Sequence, residues 1–229
     1  MSATNRNGTV RSRNDFYPTP DWLTEAILPY LPISDDADRN VRILEPAAGN
    51  GALLKVLLKR WPNAQYRTID IEYMRDPRTP AIPNIEHTLG DFLTVEPEAN
   101  CDVIITNPPL SSSSNRYVKE FIERSFLWRR NENSWVVMLL RLSFLGSQKR
   151  GKWLREHLPA IFVTPRRPPF ALNKNGQMGT NDRHTEYAWF VWGKGAAGLT
   201  ILRTDEVIPD SDSDRRRRQR PTSGHFDMG

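Results

Sequence analysis

Seven residues, Glu45-Pro46-Ala47-Ala48-Gly49-Asn50-Gly51, constrain this chain more than any other stretch of it. They follow a short apolar run, Val41-Arg42-Ile43-Leu44. They precede Ala52 to Arg60, where Leu53, Leu54, Val56, Leu57 and Leu58 form the buried side of a helix. Gly49 and Gly51 permit positive φ and let the backbone approach a ligand with no side chain in between. Tyr66 to Ile69 reads as a second strand, ended by Asp70, 19 residues beyond Gly51. An acid at that place and spacing can take both hydroxyls of a ribose. A lone Gly-x-Gly says little, but here strand, loop, helix and distant acid occur in order, against the alternative of a plain strand-to-helix turn.

The rest of the chain continues the alternation. Asp21 to Leu31 carries Trp22, Leu23, Ala26 and Ile27 at helical spacing and is closed by Pro32. Val103-Ile104-Ile105 is the continuous apolar kind of strand that lies inside a parallel sheet. Tyr117 to Trp128 is an amphipathic helix, with Val118, Phe121, Ile122, Ser125 and Phe126 on one face. Trp135 to Leu140 is the most apolar strand, Gln148 to Leu158 a helix, and Ile161 to Val163 a strand. Tyr187–Trp192 and Leu199–Leu202 have the makings of two strands paired around Gly193–Gly198. The pattern predicts an α/β fold, a doubly wound and mostly parallel sheet with a late antiparallel strand, in one domain over residues 15–208. Ligands of such sheets bind beyond the carboxyl ends of the strands. Residues 1–14 and 209–229 are expected to be disordered tails, the first basic and the second arginine-rich.

Charge is distributed unevenly. The net charge is +5, but residues 15–140 balance to −5 and residues 141–194 to +7. A basic region beside an acidic one suits a polyanion that meets one face only. The single cysteine, Cys101, excludes an internal disulfide and a thiolate metal cluster, and beside an apolar run it reads as a small core residue. His87, His157, His184 and His225 lack metal-ligand spacing, so no metal is expected. No apolar run approaches the roughly 18 residues of a membrane span. The polar N-terminus lacks the apolar stretch of a signal peptide, so a cytoplasmic location is expected. Trp61 and Trp153 are expected to be partly exposed.

The loop also discriminates between ligands. A phosphate-binding dinucleotide loop would carry a third glycine, which is missing here. Glu45 disfavours an anion at the strand end and favours a cation. S-adenosylmethionine (SAM) carries an ammonium and a sulfonium, and the loop points to it as the cofactor. The second site is Asn107-Pro108-Pro109, directly after the buried strand. Two consecutive prolines stiffen the turn and withhold two amide donors, leaving carbonyl oxygens on offer. An amide side chain beside such a carbonyl gives two acceptors at fixed separation. An –NH2 group bonded to both is turned out of conjugation, and its lone pair can face an electrophilic methyl. No general base is obligatory, because the methylated nitrogen can lose its proton to water.

On these residues the chain resembles the amino-group methyltransferases of the Rossmann-like, class I SAM-dependent kind. Glu45–Gly51 resembles their motif I and Asn107-Pro108-Pro109 their motif IV. Phe16-Tyr17-Pro18-Thr19-Pro20 looks like the N-terminal motif of the DNA adenine-N6 branch, including short phage-type members. Gly90-Asp91-Phe92 looks like the motif after the third strand, and Tyr187–Trp192 like the late strand. The resemblance covers roughly residues 16–193 in the family's order. It implies that Tyr17, Pro18 and Thr19 line the methionine and adenosine end of SAM. Glu45, Ala47, Gly49 and Gly51 would contact its amino acid part, and Asp70 its ribose. Asp91 would accept from the adenine amine, Phe92 would donate its backbone N–H to the ring, and Asn107 with the Pro108 carbonyl would grip the target amine. The family motif ends in an aromatic, where this chain has Leu110. That aromatic stacks on the extruded base, a contact of ~1–3 kcal/mol by analogy with single strands. Phe170, after the Pro168-Pro169 pair, is the candidate to supply stacking instead, against its alternative as a core hydrophobe.

A base inside a duplex cannot reach a pocket-bound methyl donor, so it must be flipped or taken from a single strand. The aperiodic loop Pro165–His184, with Arg166, Arg167, Lys174 and Arg183, is placed to hold phosphates, and Lys149, Arg150, Lys152 and Arg155 could extend the track. Arg215–Arg218 with Arg220 is a further charge block. The expected partner is DNA, double- or single-stranded. RNA or a protein glutamine presents the same chemistry. A nucleic-acid-binding protein that has lost catalysis is the reading of another class, resting on Leu110.

Overall fold

The computed structural model describes residues 18–34, 40–72, 84–109, 115–168, 170 and 185–203. Both expected tails, Tyr17, Leu110, Pro169, Lys174 and Arg183 lie outside the described residues.

Among the described residues eight strands form one sheet: β1 (Arg42–Glu45), β2 (Gln65–Asp70), β3 (Ile85–Leu89), β4 (Val103–Thr106), β5 (Trp135–Arg141), β6 (Ala160–Val163), β7 (Tyr187–Trp192) and β8 (Leu199–Ile201). Their spatial order is β3-β2-β1-β4-β5-β7-β6-β8. Only the pairings of β7, with β5 and with β6, are antiparallel. The predicted doubly wound sheet with a late antiparallel strand is what the chain forms. The order reverses between β1 and β4, and a crevice opens at the carboxyl ends of strands at such a switch point.

Helices cover both faces, which is why the central strands are apolar throughout. Leu23 and Ile27 from the α1 region (α1, Asp21–Glu25) and Leu53, Val56, Leu57 and Trp61 from α2 (Ala52–Arg60) and its end pack on Ile43, Val103, Ile105, Val137 and Leu139. On the other face, Phe121 and Ile122 of α3 (Asn115–Leu127) and Trp153 and Leu154 of α4 (Gly151–Glu156) pack on Leu44, Ile104, Val136, Met138 and Phe190.

Several expectations need correction. The first helix stops at Glu25 and continues as a 3-10 turn over Leu28–Tyr30. Pro29 has no N–H to return to the carbonyl four residues back, so an α-helix to Leu31 would leave that bond unmade. Likewise α4 is only Gly151–Glu156, preceded by a 3-10 turn. β8 pairs with β6, in parallel, and not with β7, because β5 and β6 already occupy both edges of β7. Trp61 and Trp153, expected to be partly exposed, are 1% and 8% exposed. Cys101 is buried as expected, and burial pushes its thiol up to about 12. Arg150 leaves the proposed phosphate track: it is buried, and its guanidinium donates to the Phe144 carbonyl at 3.1 and 2.8 Å. Lys149, Lys152 and Arg155 remain exposed.

Candidate active site

Each strand from β3 across to β5 delivers one polar residue to the same cavity at the carboxyl edge. Glu45 ends β1, Asp70 ends β2, Asp91 follows β3, Asn107 follows β4 and Arg141 ends β5, and all five line the cavity. Pro18 and Thr19 enter from the N-terminal segment, and Tyr187 and Phe170 close the far wall.

The glycine loop is built by local hydrogen bonds. Ala48 N–H donates to the Ile69 carbonyl at 3.2 Å and Gly51 N–H to the Ala48 carbonyl at 2.8 Å. Gly51 has φ 77°, and a Cβ there would meet nothing within 4 Å, so conformation and not space calls for glycine. Gly49, with φ 50°, donates its N–H to Asp70 Oδ2 at 2.7 Å. Asp70 therefore ties the loop to β2, a role its place in the sequence does not reveal. Its Oδ1 accepts from Glu72 N–H at 3.0 Å.

Glu45 is 4% exposed, and its Oε2 has no hydrogen-bond partner. Burial first, and repulsion by Asp70 second, push its carboxyl well above the usual carboxylate range, against a backbone hydrogen bond from Leu54. A cation bound beside it would favour the ionised form and offset part of the cost that burial puts on that charge. Asp91 is exposed and accepts from Leu93 N–H at 2.9 Å, while the Phe92 side chain is buried against Phe121 at 4.6 Å.

Asn107 Nδ2 donates to Thr19 Oγ1 at 3.2 Å, across 88 residues of sequence. With the amide nitrogen turned to Thr19, the acceptor on the other side of the amide is Oδ1. Thr19, expected only to line the cofactor, thus orients the Asn-Pro-Pro turn as well. Among the substrate candidates, Phe170 reaches the cavity wall but is 6% exposed and packs edge-on against Tyr187 at 4.8 Å. Arg166 and Arg167 are exposed and do not line the cavity, and Arg167 is paired with Glu186 at 2.5 Å. Arg141 was not singled out from the sequence, although a charged residue closing a wholly apolar strand is a signal that could have found it.

No family model matches the sequence. A predicted O-methyltransferase from Agrobacterium tumefaciens is similar in structure, with TM-score 0.50 at 15% identity over 80% of this chain and 84% of that one. A type I restriction-modification system methyltransferase subunit from Streptococcus thermophilus has TM-score 0.54 at 11% identity over 95% of this chain. The chain has the fold of the class I methyltransferases. It spans about half of the Streptococcus subunit, 52% of that chain. In this methyltransferase fold the cavity occupies the switch point between β1 and β4. Among the described lining residues the acids lie toward β3 and the one arginine, Arg141, toward β5. No group of metal-ligating side chains occurs among the described residues, and no described helix is long and apolar enough to cross a membrane.

Proposed function

We propose that the chain is a SAM-dependent methyltransferase acting on the exocyclic N6 amine of adenine in DNA. The observation that carries the reading is Asn107, oriented by Thr19 at the end of β4, on the wall of the cavity that Glu45, Asp70 and Asp91 also line. The residues present fit the cofactor. The buried Oε2 of Glu45 has no hydrogen-bond partner, and its charged neighbour is another acid, Asp70, so an ammonium or sulfonium suits it. Glu45, Ala47, Gly49 and Gly51 would hold the amino acid part of SAM, Asp70 its ribose, and Asp91 with the Phe92 N–H its adenine. When bound, SAM supplies a methyl made electrophilic by a positively charged sulfur.

The chain's own residues prepare the amine. Asn107 Oδ1 and the Pro108 carbonyl accept its two N–H bonds, and Pro109 stiffens the turn that presents them. Held so, the amine's lone pair is turned out of the ring system and toward the methyl. The nitrogen gains the methyl and sheds one proton to water. Adenine in DNA is favoured over other amines by three things: the basic segment 141–194, the Tyr-Pro-Thr-Pro resemblance, and the restriction-modification system of one protein that shares the fold.

The test is transfer of labelled methyl from SAM to duplex DNA, single-stranded DNA, RNA and glutamine-containing protein. The expected result is label on N6 of adenine in DNA, reduced by roughly 10²–10³ in Asn107→Ala by comparison with loss of a positioned polar contact. Label in RNA or in a protein glutamine would move the substrate and keep the chemistry. SAM binding with no transfer to any of them would refute the enzyme reading.

A further inference from the structure

Arg141 is the one cation on the cavity wall among the described residues, and its Nε is buried with no hydrogen-bond partner. Among the described residues no carboxylate is paired with its guanidinium. Arg141 as a whole is half-buried, but a buried donor left without a partner is costly, and a ligand anion at the cavity end of the guanidinium would offset that cost.

Strand register shows which ligand can. Odd-numbered residues of β5, Val137 and Leu139, pack on the α1–α2 side, and so do Tyr187 and Phe170, which wall the cavity around Arg141. Ile105 lies beside Val137 in β5, and one residue earlier Leu44 lies beside Ile104, so Glu45 stands at the level of Val137. Arg141 is four residues farther out, roughly 13 Å along the strand, and two strands over. Continuing the β4–β5 register puts Asn107 level with Leu139, so Arg141 stands roughly 7 Å outside Asn107 and one strand away. A carboxylate on the same carbon as an ammonium held at Glu45 stays at the inner end. Arg141 is at the outer end, on the side from which an amine must approach Asn107.

We infer that Arg141 binds an anion of the substrate beside the target amine, a backbone phosphate of the polynucleotide strand that carries it. The inference rests on the nucleic-acid reading of the site. The guanidinium's planar donors match two phosphate oxygens at once, which a lysine cannot reproduce. The phosphate would fix the position of the flipped nucleotide while Asn107 and Pro108 hold its amine. Arg141 is thus assigned separately from Arg166 and Arg167, which are exposed outside the cavity.

The test uses full-length protein saturated with S-adenosylhomocysteine and a labelled single-stranded oligodeoxynucleotide containing one adenine, followed by anisotropy over a salt series. Arg141→Met, which keeps the aliphatic stem, should weaken binding roughly ten-fold or more. It should lower the slope of log affinity against log salt by about 0.7, the share of one phosphate contact. Arg141→Lys should keep the slope and lose part of the affinity. A neutral methylphosphonate at the phosphate flanking the adenine should weaken the wild type and leave Arg141→Met unchanged. Affinity for S-adenosylhomocysteine should be the same in all three proteins. Unchanged DNA affinity and slope in Arg141→Met, with a wild type that methylates DNA, would overturn this inference alone. A fall in S-adenosylhomocysteine affinity would overturn it by giving Arg141 to the cofactor. A wild type that neither binds nor methylates nucleic acid would overturn both this inference and the reading beneath it.

Discussion

Replacing Glu45 by glutamine should make the ligand-free protein more stable and the cofactor-bound protein weaker, in a way that pH reveals. The carboxyl is 4% exposed, and burial and Asp70 raise it well above 4.5, the value it has when unhindered. In the unfolded chain it ionises near that value; in the folded chain it keeps its proton to higher pH. The stability it contributes is therefore complete below about pH 4.5, declines as pH rises, and levels off once the raised folded value is passed. Within that window the loss is about 1.4 kcal/mol per pH unit. Glu45→Gln has no such proton to lose. Its melting temperature should gain on the wild type by about 3–6 °C per pH unit, given about 2–4 °C per kcal/mol for a domain of this size. A cation at Glu45 reverses the order, since only the carboxylate can pair with it, and its binding expels the proton. The assay is thermal melting of both proteins from pH 4.5 to 8, with and without SAM. Calorimetric binding in two buffers of different ionisation enthalpy adds the proton count. A difference in melting temperature that stays flat with pH, or equal SAM affinity in the two proteins, would refute the reasoning.

Further predictions concern how the site is held. Thr19→Val keeps the shape but removes the acceptor for Asn107 Nδ2, a bond of about 1 kcal/mol, so kcat should fall about five-fold with little change in KM for SAM. Thr19→Ser should restore it, and steady-state kinetics of the three proteins would check both. Gly51→Ala meets no steric obstacle but must hold φ near 77°, at a cost of about 1–2 kcal/mol. Its melting temperature should fall by about 2–8 °C.

What the sequence made legible follows the range of the interactions that decide each feature. Ala52–Arg60, Val103–Thr106 and Tyr187–Trp192 were readable because each element buries its own apolar pattern. The loop from Glu45 to Gly51 was readable because a strand end, two glycines and a helix start sit within a few residues. β3 has no comparable signature: Ile85–Leu89 is a sheet edge with Glu86, His87 and Leu89 exposed, and it surfaced only through the resemblance around Gly90-Asp91-Phe92. Long-range partners stayed hidden. Arg150 looked like a surface cation until the Phe144 carbonyl was folded against it, and Trp61 lost its expected exposure to the α1–α2 core. Thr19 and Asp70 line the cavity and also hold Asn107 and Gly49 in place. That economy has a physical basis. A ligand site needs rigid polar groups, and in a cavity with few hydrogen-bond partners the nearest rigid group is another residue of the site. Among the described residues of the cavity two buried polar atoms are left over, Glu45 Oε2 at the inner end and Arg141 Nε at the outer, and these are where the proposed ligands are expected to complete the bonding.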